Sequence, residues 1–268
     1  MTAPNEYLET ASTAARLGGD VLMRYLRDGV QMRNKVDDGG KSYDLVSDAD
    51  LDSEKAVASC IRQRHPSHEL LGEEALKGNP DAEHLWIIDP LDGTNNYAHK
   101  VPQFAVSVAY YHNGQPIAGA ILNPARDELY TASRGGGAFF NGQPVQVDDA
   151  QTLANTLIGC GFYYDRGDMM RSTLSAIEEF FEGDIHGIRR FGAATLDLCM
   201  VGLGQLGGFF EYKLSPWDFA AGRLFVEEAG GSVTDAKGQP LPIDQTSVVA
   251  SNGKLHQTMI DITSRHHP

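Results

Sequence analysis

The sequence predicts a layered α/β (α+β) protein, and three observations carry that expectation. Two amphipathic helical stretches open the chain. A series of short strand-like runs, punctuated by tight-turn signals, follows from about residue 84. In the second half, strand-like runs alternate with helical ones, as layered packing of helices on a sheet requires.

Taken in order, Tyr7, Ala11, Ala14, Val21, Leu22 and Tyr25 recur at helical spacing, so the first helix ends near Gly29. Residues 34–43 (NKVDDGGKSY) are polar with paired glycines and read as an exposed, mobile loop. A second helix runs from the D-L-V-S-D-A-D segment through about Ile61. Residues 84–88 form a nearly continuous apolar run, the pattern of a buried strand, expected to stop at Asp89-Pro90. Strand-like runs at 104–111, 117–122, 128–131 and 138–140 are separated by Asn113-Gly114, Asn123-Pro124, the 135–137 glycines and Asn141-Gly142. These predict an antiparallel meander. Beyond it come a strand at 156–160 and a helix with Met170, Leu174, Ile177 and Phe181 on one face. A strand near 185–190 precedes a helix with Leu196, Met200 and Leu203 inward; Phe209-Phe210-Glu211 and a helix over 215–230 complete the pattern. A boundary near 147 divides the chain into an N-terminal α+β part, 1–147, and a C-terminal α/β part, 148–268. No flexible linker marks it, so a large shared interface is expected.

Composition excludes several classes. With 268 residues, folding buries roughly 73% of the extended chain's surface, ample for a core. Lys and Arg number 22 against 36 Asp and Glu, a net charge of −14, which argues against nucleic acid or an anionic membrane as partner. The same charge makes an anionic metabolite a poor ligand unless cations intervene. Cys60, Cys160 and Cys199 have neither disulfide-framework nor zinc-site spacing. There is no signal-like N-terminus and no membrane-length apolar run, so cytoplasmic residence is the expectation.

Chemistry concentrates in Asp89-Pro90-Leu91-Asp92-Gly93-Thr94. Two carboxylates three residues apart sit where a buried strand ends, the place where ligands gather in α/β proteins. Pro90 and Gly93 force a tight turn that aims both carboxylates and the Leu91 carbonyl at one spot. Such hard oxygen donors suit Mg²⁺, and N–H groups opening a helix at Gly93-Thr94-Asn95 suit phosphate. Ordinary turn chemistry is the competing account of the Asp-Gly pair. Glu73 follows Leu70-Leu71 at a strand end, where a solvated charge pair with Glu74 is the alternative. Ser215-Pro216-Trp217-Asp218 reads as N-cap to N3 of a helix, with Asp218 completing a capping box. That role is sufficient by itself, yet a carboxylate at N3 can still face a cleft.

Together these blocks resemble the inositol monophosphatase family. Gly72-Glu73-Glu74, Asp89 through His99, 102–107 (PQFAVS) and Trp217-Asp218-Phe219-Ala220-Ala221-Gly222 carry the match. Segments 44–50, 123–129 and 189–198 also resemble the family, in the right order, so the likeness spans nearly the whole chain. It implies an αβαβα sandwich of the inositol monophosphatase/fructose-1,6-bisphosphatase kind. It implies two or three Mg²⁺ held by Glu73, Asp89, the Leu91 carbonyl, Asp92 and Asp218. Thr94, with Asp50 behind it, and Glu73 match catalytic positions that polarise the attacking water. Gly93 and Thr94 N–H groups match the phosphate contacts, while Asp92, Ala194, Glu211 and Asp218 match contacts to inositol hydroxyls. Lys41 matches a mobile closing loop, although its spacing to Asp44 departs from the family. Ser47 stands where the family often has Thr, and Ser215 where some members carry His.

The resemblance implies Mg²⁺-dependent hydrolysis of inositol monophosphate, lithium inhibition and a homodimer, with a small phosphorylated polyol as substrate. Histidinol-phosphate phosphatase, fructose-1,6-bisphosphatase and 3′,5′-bisphosphate nucleotidase are the rival branches. Asn95-Asn96, where rivals tend to carry Lys-Glu or a basic residue, and Glu211 lean towards a polyol. A non-catalytic cation-binding scaffold is the rival from another class, and the intact set of acidic positions speaks against it.

Overall fold

The computed structural model describes residues 3–29, 32–34 and 45–268. Lys41, Asp44 and the expected loop, apart from Asn34, lie outside the described residues.

Helix α1 (Ala3–Asp28) is followed by a two-stranded antiparallel ladder, β1 (Met32–Asn34) with β2 (Leu45–Ser47), and by α2 (Asp48–Arg64). Ser47 caps α2: its hydroxyl accepts from Ala49 N–H, and Asp50 at N3 accepts from Ser47 N–H at 2.8 Å. A seven-stranded sheet then runs in strict sequence order. Its strands are β3 (Glu69–Gly72), β4 (His84–Asp92), β5 (Ala105–His112), β6 (Gln115–Asn123), β7 (Glu128–Ser133), β8 (Gly137–Phe140) and β9 (Gln143–Pro144), with the short helix α3 (Thr94–Ala98) between β4 and β5. From β4 to β9 every pairing is antiparallel, the expected meander; β3 alone runs parallel to β4.

The rest of the chain supplies β10 (Leu157–Cys160), α4 (Asp168–Glu182), β11 (Gly187–Arg189), α5 (Ala194–Gly202), β12 (Gly208–Leu214), α6 (Pro216–Glu228), β13 (Ser232–Thr234), β14 (Thr246–Ser251) and α7 (His256–His266). Its five-stranded sheet has the order β11-β10-β12-β14-β13, parallel at β11-β10-β12 and antiparallel beyond.

Four apolar interfaces stack these elements into an αβαβα sandwich. On one face of the large sheet, Trp86, Val108 and Ala120 pack with Ala14, Val57 and Ile61 of α1 and α2. On the other, Ile87, Ala109 and Ile121 pack with Leu196 of α5 and Leu224 and Phe225 of α6. The opposite sides of α5 and α6 present Leu198, Phe219 and Val226 to Phe209, Val248 and Ala250 of the second sheet. Phe180 of α4 and Met259 and Ile260 of α7 close its outer face over Ile158, Phe210 and Val249. Burial of β4 on both faces explains its unbroken apolar run, since neighbouring side chains alternate between two cores.

The structure corrects one expectation and settles which side of α4 packs inward. β4 does not stop at Asp89-Pro90 but continues to Asp92. The register slips there, Asp89 opposing Ser107 and Asp92 opposing Ala105, so one extra residue is accommodated in a bulge where Pro90 has no ladder bond to donate. In α4 the buried residues are Thr173, Ala176 and Phe180, whereas Leu174 and Phe181 are 49% and 52% exposed. Thr173 and Ala176 let α4 lie close on the sheet, Phe180 fills the core, and Leu174 and Phe181 turn outward.

Beside the first core, the imidazoles of His65, His68, His84 and His112 stack in series, with successive centroids 4.9, 4.4 and 4.9 Å apart. Trp86 donates its indole N–H to His68 Nδ1 at 3.0 Å, so that nitrogen must carry a lone pair. Burial, then the neighbouring histidines, push the His68 pKa down to about 4. The unfolded chain therefore binds the extra proton between pH 6.5 and 4, and stability falls as pH drops through that window. Urea unfolding is expected to show a loss of about 1 kcal/mol from this group between pH 7 and 5, after discounting for solvent screening. His68→Asn should flatten that part of the profile; an unchanged acid limb would remove His68 from the account.

Candidate active site

The β4 bulge delivers its carboxylates into a cleft of about 310 Å³. Leu91 N–H donates to Asp89 Oδ1 at 3.0 Å, fixing the first carboxylate within the turn. Gly93 ends the turn at φ +85°, a left-handed conformation that places α3 directly after Asp92. Thr94, the first residue of α3, donates its hydroxyl to the Leu91 carbonyl at 3.0 Å. The helix is only five residues long, so its contribution at this end comes from N–H groups rather than from a long dipole.

Asp92 is anchored from the opposite layer. It accepts from Ala194 N–H at 3.2 Å, from Thr195 N–H at 2.8 Å and from the Thr195 hydroxyl at 2.5 Å, all at the start of α5. The Ala194 N–H expected to meet a substrate hydroxyl is thus directed at Asp92. Asp218 arrives from α6, where the expected capping box is formed: Ser215 N–H donates to Asp218 Oδ2 at 2.7 Å. Glu211 projects from β12 and lies against Gly161, where a Cβ would overlap its carboxylate. Glu73 follows the end of β3 and is half-buried.

Glu73, Asp89, Leu91, Asp92, Gly93, Thr94, Ala194, Glu211 and Asp218 therefore share one cleft. Asp50 is outside its lining, fully buried as N3 of α2, with its Oδ2 taking the Ser47 N–H and hydroxyl. Asp197, inside the 189–198 segment, has no role assigned from the sequence pattern. It lines the cleft, it is 1% exposed, and its Oδ1 has no hydrogen-bond partner among the described residues. A signal was present: Asp197 is the one charged residue of α5, ATLDLCMVG, a helix buried almost all round.

Electrostatics single out this cluster. Burial, then the charges of Glu73, Asp92 and Asp218, hold the Asp89 carboxyl well above the usual carboxylate range. Asp218 is raised by burial and by Glu73 and Asp92, against the Ser215 hydrogen bond. Burial also raises Asp92, although its bonds to Thr195, Ala194 and Gly93 resist the shift. Asp197 is raised by burial and Asp92, and Glu211 is pushed up to about 8, mainly by burial, with Arg190 opposing. Six carboxyl groups line the cleft against two basic side chains, Arg190 and Lys213. Buried like charges at such density cost several kcal/mol unless protons or cations neutralise them. The donors are all oxygens, which fits a hard divalent cation such as Mg²⁺ better than a thiolate- or imidazole-seeking metal.

The sequence matches the inositol monophosphatase family model over residues 3–267. The chain belongs to that family. A protein of Neisseria meningitidis serogroup B described as a putative Nus factor SuhB is 40% identical over 265 residues, covering 98% of this chain and 99% of that one. An inositol-1-monophosphatase of Rhizobium meliloti is 40% identical over 228 residues, 84% of this chain and 85% of its own length. Among solved structures, inositol monophosphatase from Anabaena superposes with a TM-score of 0.86 at 37% identity, covering 97% of this chain and 96% of its own. Family membership supports phosphatase chemistry in the carboxylate cleft. Among the described residues no helix is long and apolar enough to cross a membrane.

Proposed function

We propose that the chain is a Mg²⁺-dependent phosphomonoesterase that hydrolyses inositol monophosphate with a water nucleophile. The observation carrying this reading is the convergence of buried Asp89 and Asp92 with half-buried Asp218 beside Glu73, all three aspartates raised in pKa. Glu73, Asp89, the Leu91 carbonyl, Asp92 and Asp218 would hold two or three ions. When bound, Mg²⁺ neutralises the charge that otherwise repels a hydroxide from a phosphate monoester and makes water more acidic.

The protein's own groups do the rest. Glu73 takes the proton of the attacking water. The Thr94 hydroxyl turns from Leu91 towards Asp50, so that its oxygen accepts from that water and aligns it. The Gly93 N–H, which bonds Asp92 in the free site, turns with the Thr94 N–H onto phosphate oxygens, which fixes the in-line approach. Asp92, Glu211 and Asp218 meet the hydroxyls of the polyol, with the Ala194 N–H held on Asp92. In this reading 1–147 supplies most of the metal ligands and 148–268 completes the active site. Lithium inhibition and cytoplasmic residence are carried with it. So is a homodimer, which the outward Leu174 and Phe181 of α4 support and light scattering tests.

Steady-state kcat/KM on inositol 1-phosphate, histidinol phosphate, fructose 1,6-bisphosphate and a 3′,5′-bisphosphate nucleotide tests the substrate. Preference for the polyol monophosphate is expected, and clear preference for histidinol phosphate overturns it. Glu211→Gln should raise KM for inositol phosphate about tenfold with little change in kcat, because only a hydroxyl contact is weakened. An unchanged KM removes Glu211 from the substrate site.

The Neisseria relative's description supports a second reading, in which the chain acts as a Nus factor rather than on a phosphorylated substrate. Normal metal binding with no turnover on any of the four substrates would favour it.

A further inference from the structure

We propose that Glu83, His84 and His112 form a second cation site, for a borderline transition metal such as Zn²⁺, at the far end of β4 from the carboxylate cleft. The three ligand atoms already lie within 4.8 Å of one another. β4 begins at His84 and reaches Asp92 eight residues later, so the two sites are separated by roughly 25 Å of strand. This site is independent of the phosphatase reading.

The backbone presets it. His84 and His112 face each other across the β4–β5 ladder, and Asn113 N–H donates to the Glu83 carbonyl at 2.8 Å. Asn113 and Gly114 both adopt positive φ, +48° and +73°, a tight turn that fixes where β5 ends.

The side chains are oriented too. His84 Nδ1 is held by the Tyr110 hydroxyl at 2.6 Å, which leaves Nε2 as the free ring nitrogen. That Nε2 is 3.8 Å from Glu83 Oε1, and His112 Nε2 is 3.4 Å from the same oxygen. The His84 ring is further fixed by His68, stacked behind it at 4.4 Å and 5°. Asn113 Nδ2 lies 3.3 Å from His112 Nε2, and this exposed amide turns aside when that nitrogen takes a metal. Two imidazole nitrogens and a carboxylate oxygen converge on one point, where a cation bound between them would satisfy all three. Two nitrogens and one oxygen are a zinc-type donor set, with a coordination position left for water. The cleft, by contrast, offers oxygen alone. Glu83 and His112 side chains are 67% and 41% exposed, so an ion enters directly from solvent.

The competing account is an ordinary surface pairing of histidines with Glu83, worth little and holding no metal. The experiment uses untagged full-length protein with the carboxylate cleft saturated in millimolar Mg²⁺, titrated with Zn²⁺ against a colorimetric chelator. One retained equivalent is expected. His112→Ala, an exposed change, should weaken it at least about tenfold, while Asp89→Asn leaves it unchanged. Substituting Cu²⁺ for Zn²⁺ should give an electron paramagnetic resonance spectrum with two nitrogen ligands, reduced to one in His112→Ala. Absence of a retained equivalent, or one that His112→Ala does not weaken, or one that Asp89→Asn abolishes, overturns the proposal.

Discussion

Asp89→Asn is expected to lower kcat/KM by at least about 10³-fold while leaving the fold as stable as before, or more stable, in the absence of divalent ions. The two effects have one cause. Asp89 is buried beside Glu73, Asp92 and Asp218, and its raised pKa means that the folded state favours its neutral form. For a carboxyl raised in this way, stability is present below the unfolded pKa near 3.8 and is lost as pH rises through the folded value. At pH 7 the unfolded chain has already released this proton, so the group is a liability to the fold without ions. Asparagine keeps the shape and still accepts from Leu91 N–H, but carries no charge. Melting in EDTA should rise by about 2–5 °C, since 1 kcal/mol moves the midpoint about 2–4 °C at this chain length. Adding Mg²⁺ should then stabilise the native protein and not the variant. A variant that keeps its turnover, or that melts well below the native protein in EDTA, contradicts this account of the cluster.

Gly93→Ala is the second large effect, and it acts through the backbone. At φ +85° an alanine pays about 1–2 kcal/mol of left-handed strain. Its Cβ would also stand 2.9 Å from the Gln103 carbonyl oxygen and 3.1 Å from the Ala193 Cβ, neither of which is a flexible side-chain end. A combined cost of about 2–4 kcal/mol is expected, a fall of about 5–10 °C in melting temperature. Because Gly93 lies between Asp92 and Thr94, any relief of the clash moves both groups. Activity should fall more than about 100-fold even at temperatures where the variant stays folded. A variant with native kcat would show that the turn tolerates displacement.

Much of this was legible before any coordinates. The meander follows from Asn113-Gly114 and Asn141-Gly142, which set tight hairpins, and from the apolar runs between them. The helix start at Ser215 and the carboxylate at Asp218 follow from one capping box. What stayed hidden depended on long-range pairing. Proline ordinarily ends a central strand, and only the slip between Asp89/Asp92 and Ser107/Ala105 lets β4 pass Pro90. Which side of α4 packs inward was not legible either, because the shared face of Leu174 and Phe181 fits burial equally well, whereas Thr173, Ala176 and Phe180 meet the sheet. Asp197 escaped because its chemistry comes from the neighbours that bury it. His65, His68, His84 and His112 are scattered in sequence, and only α2, the β3–β4 region and β5 stack them together.

The most direct measurement is phosphate release from inositol 1-phosphate by the chain stripped of divalent ions, followed as Mg²⁺ is restored in ¹⁸O-labelled water. The account predicts no turnover without the ion, saturable recovery with it, and one labelled oxygen in each phosphate released. Full turnover in the presence of EDTA, or recovery with Mg²⁺ that leaves the phosphate unlabelled, would contradict it.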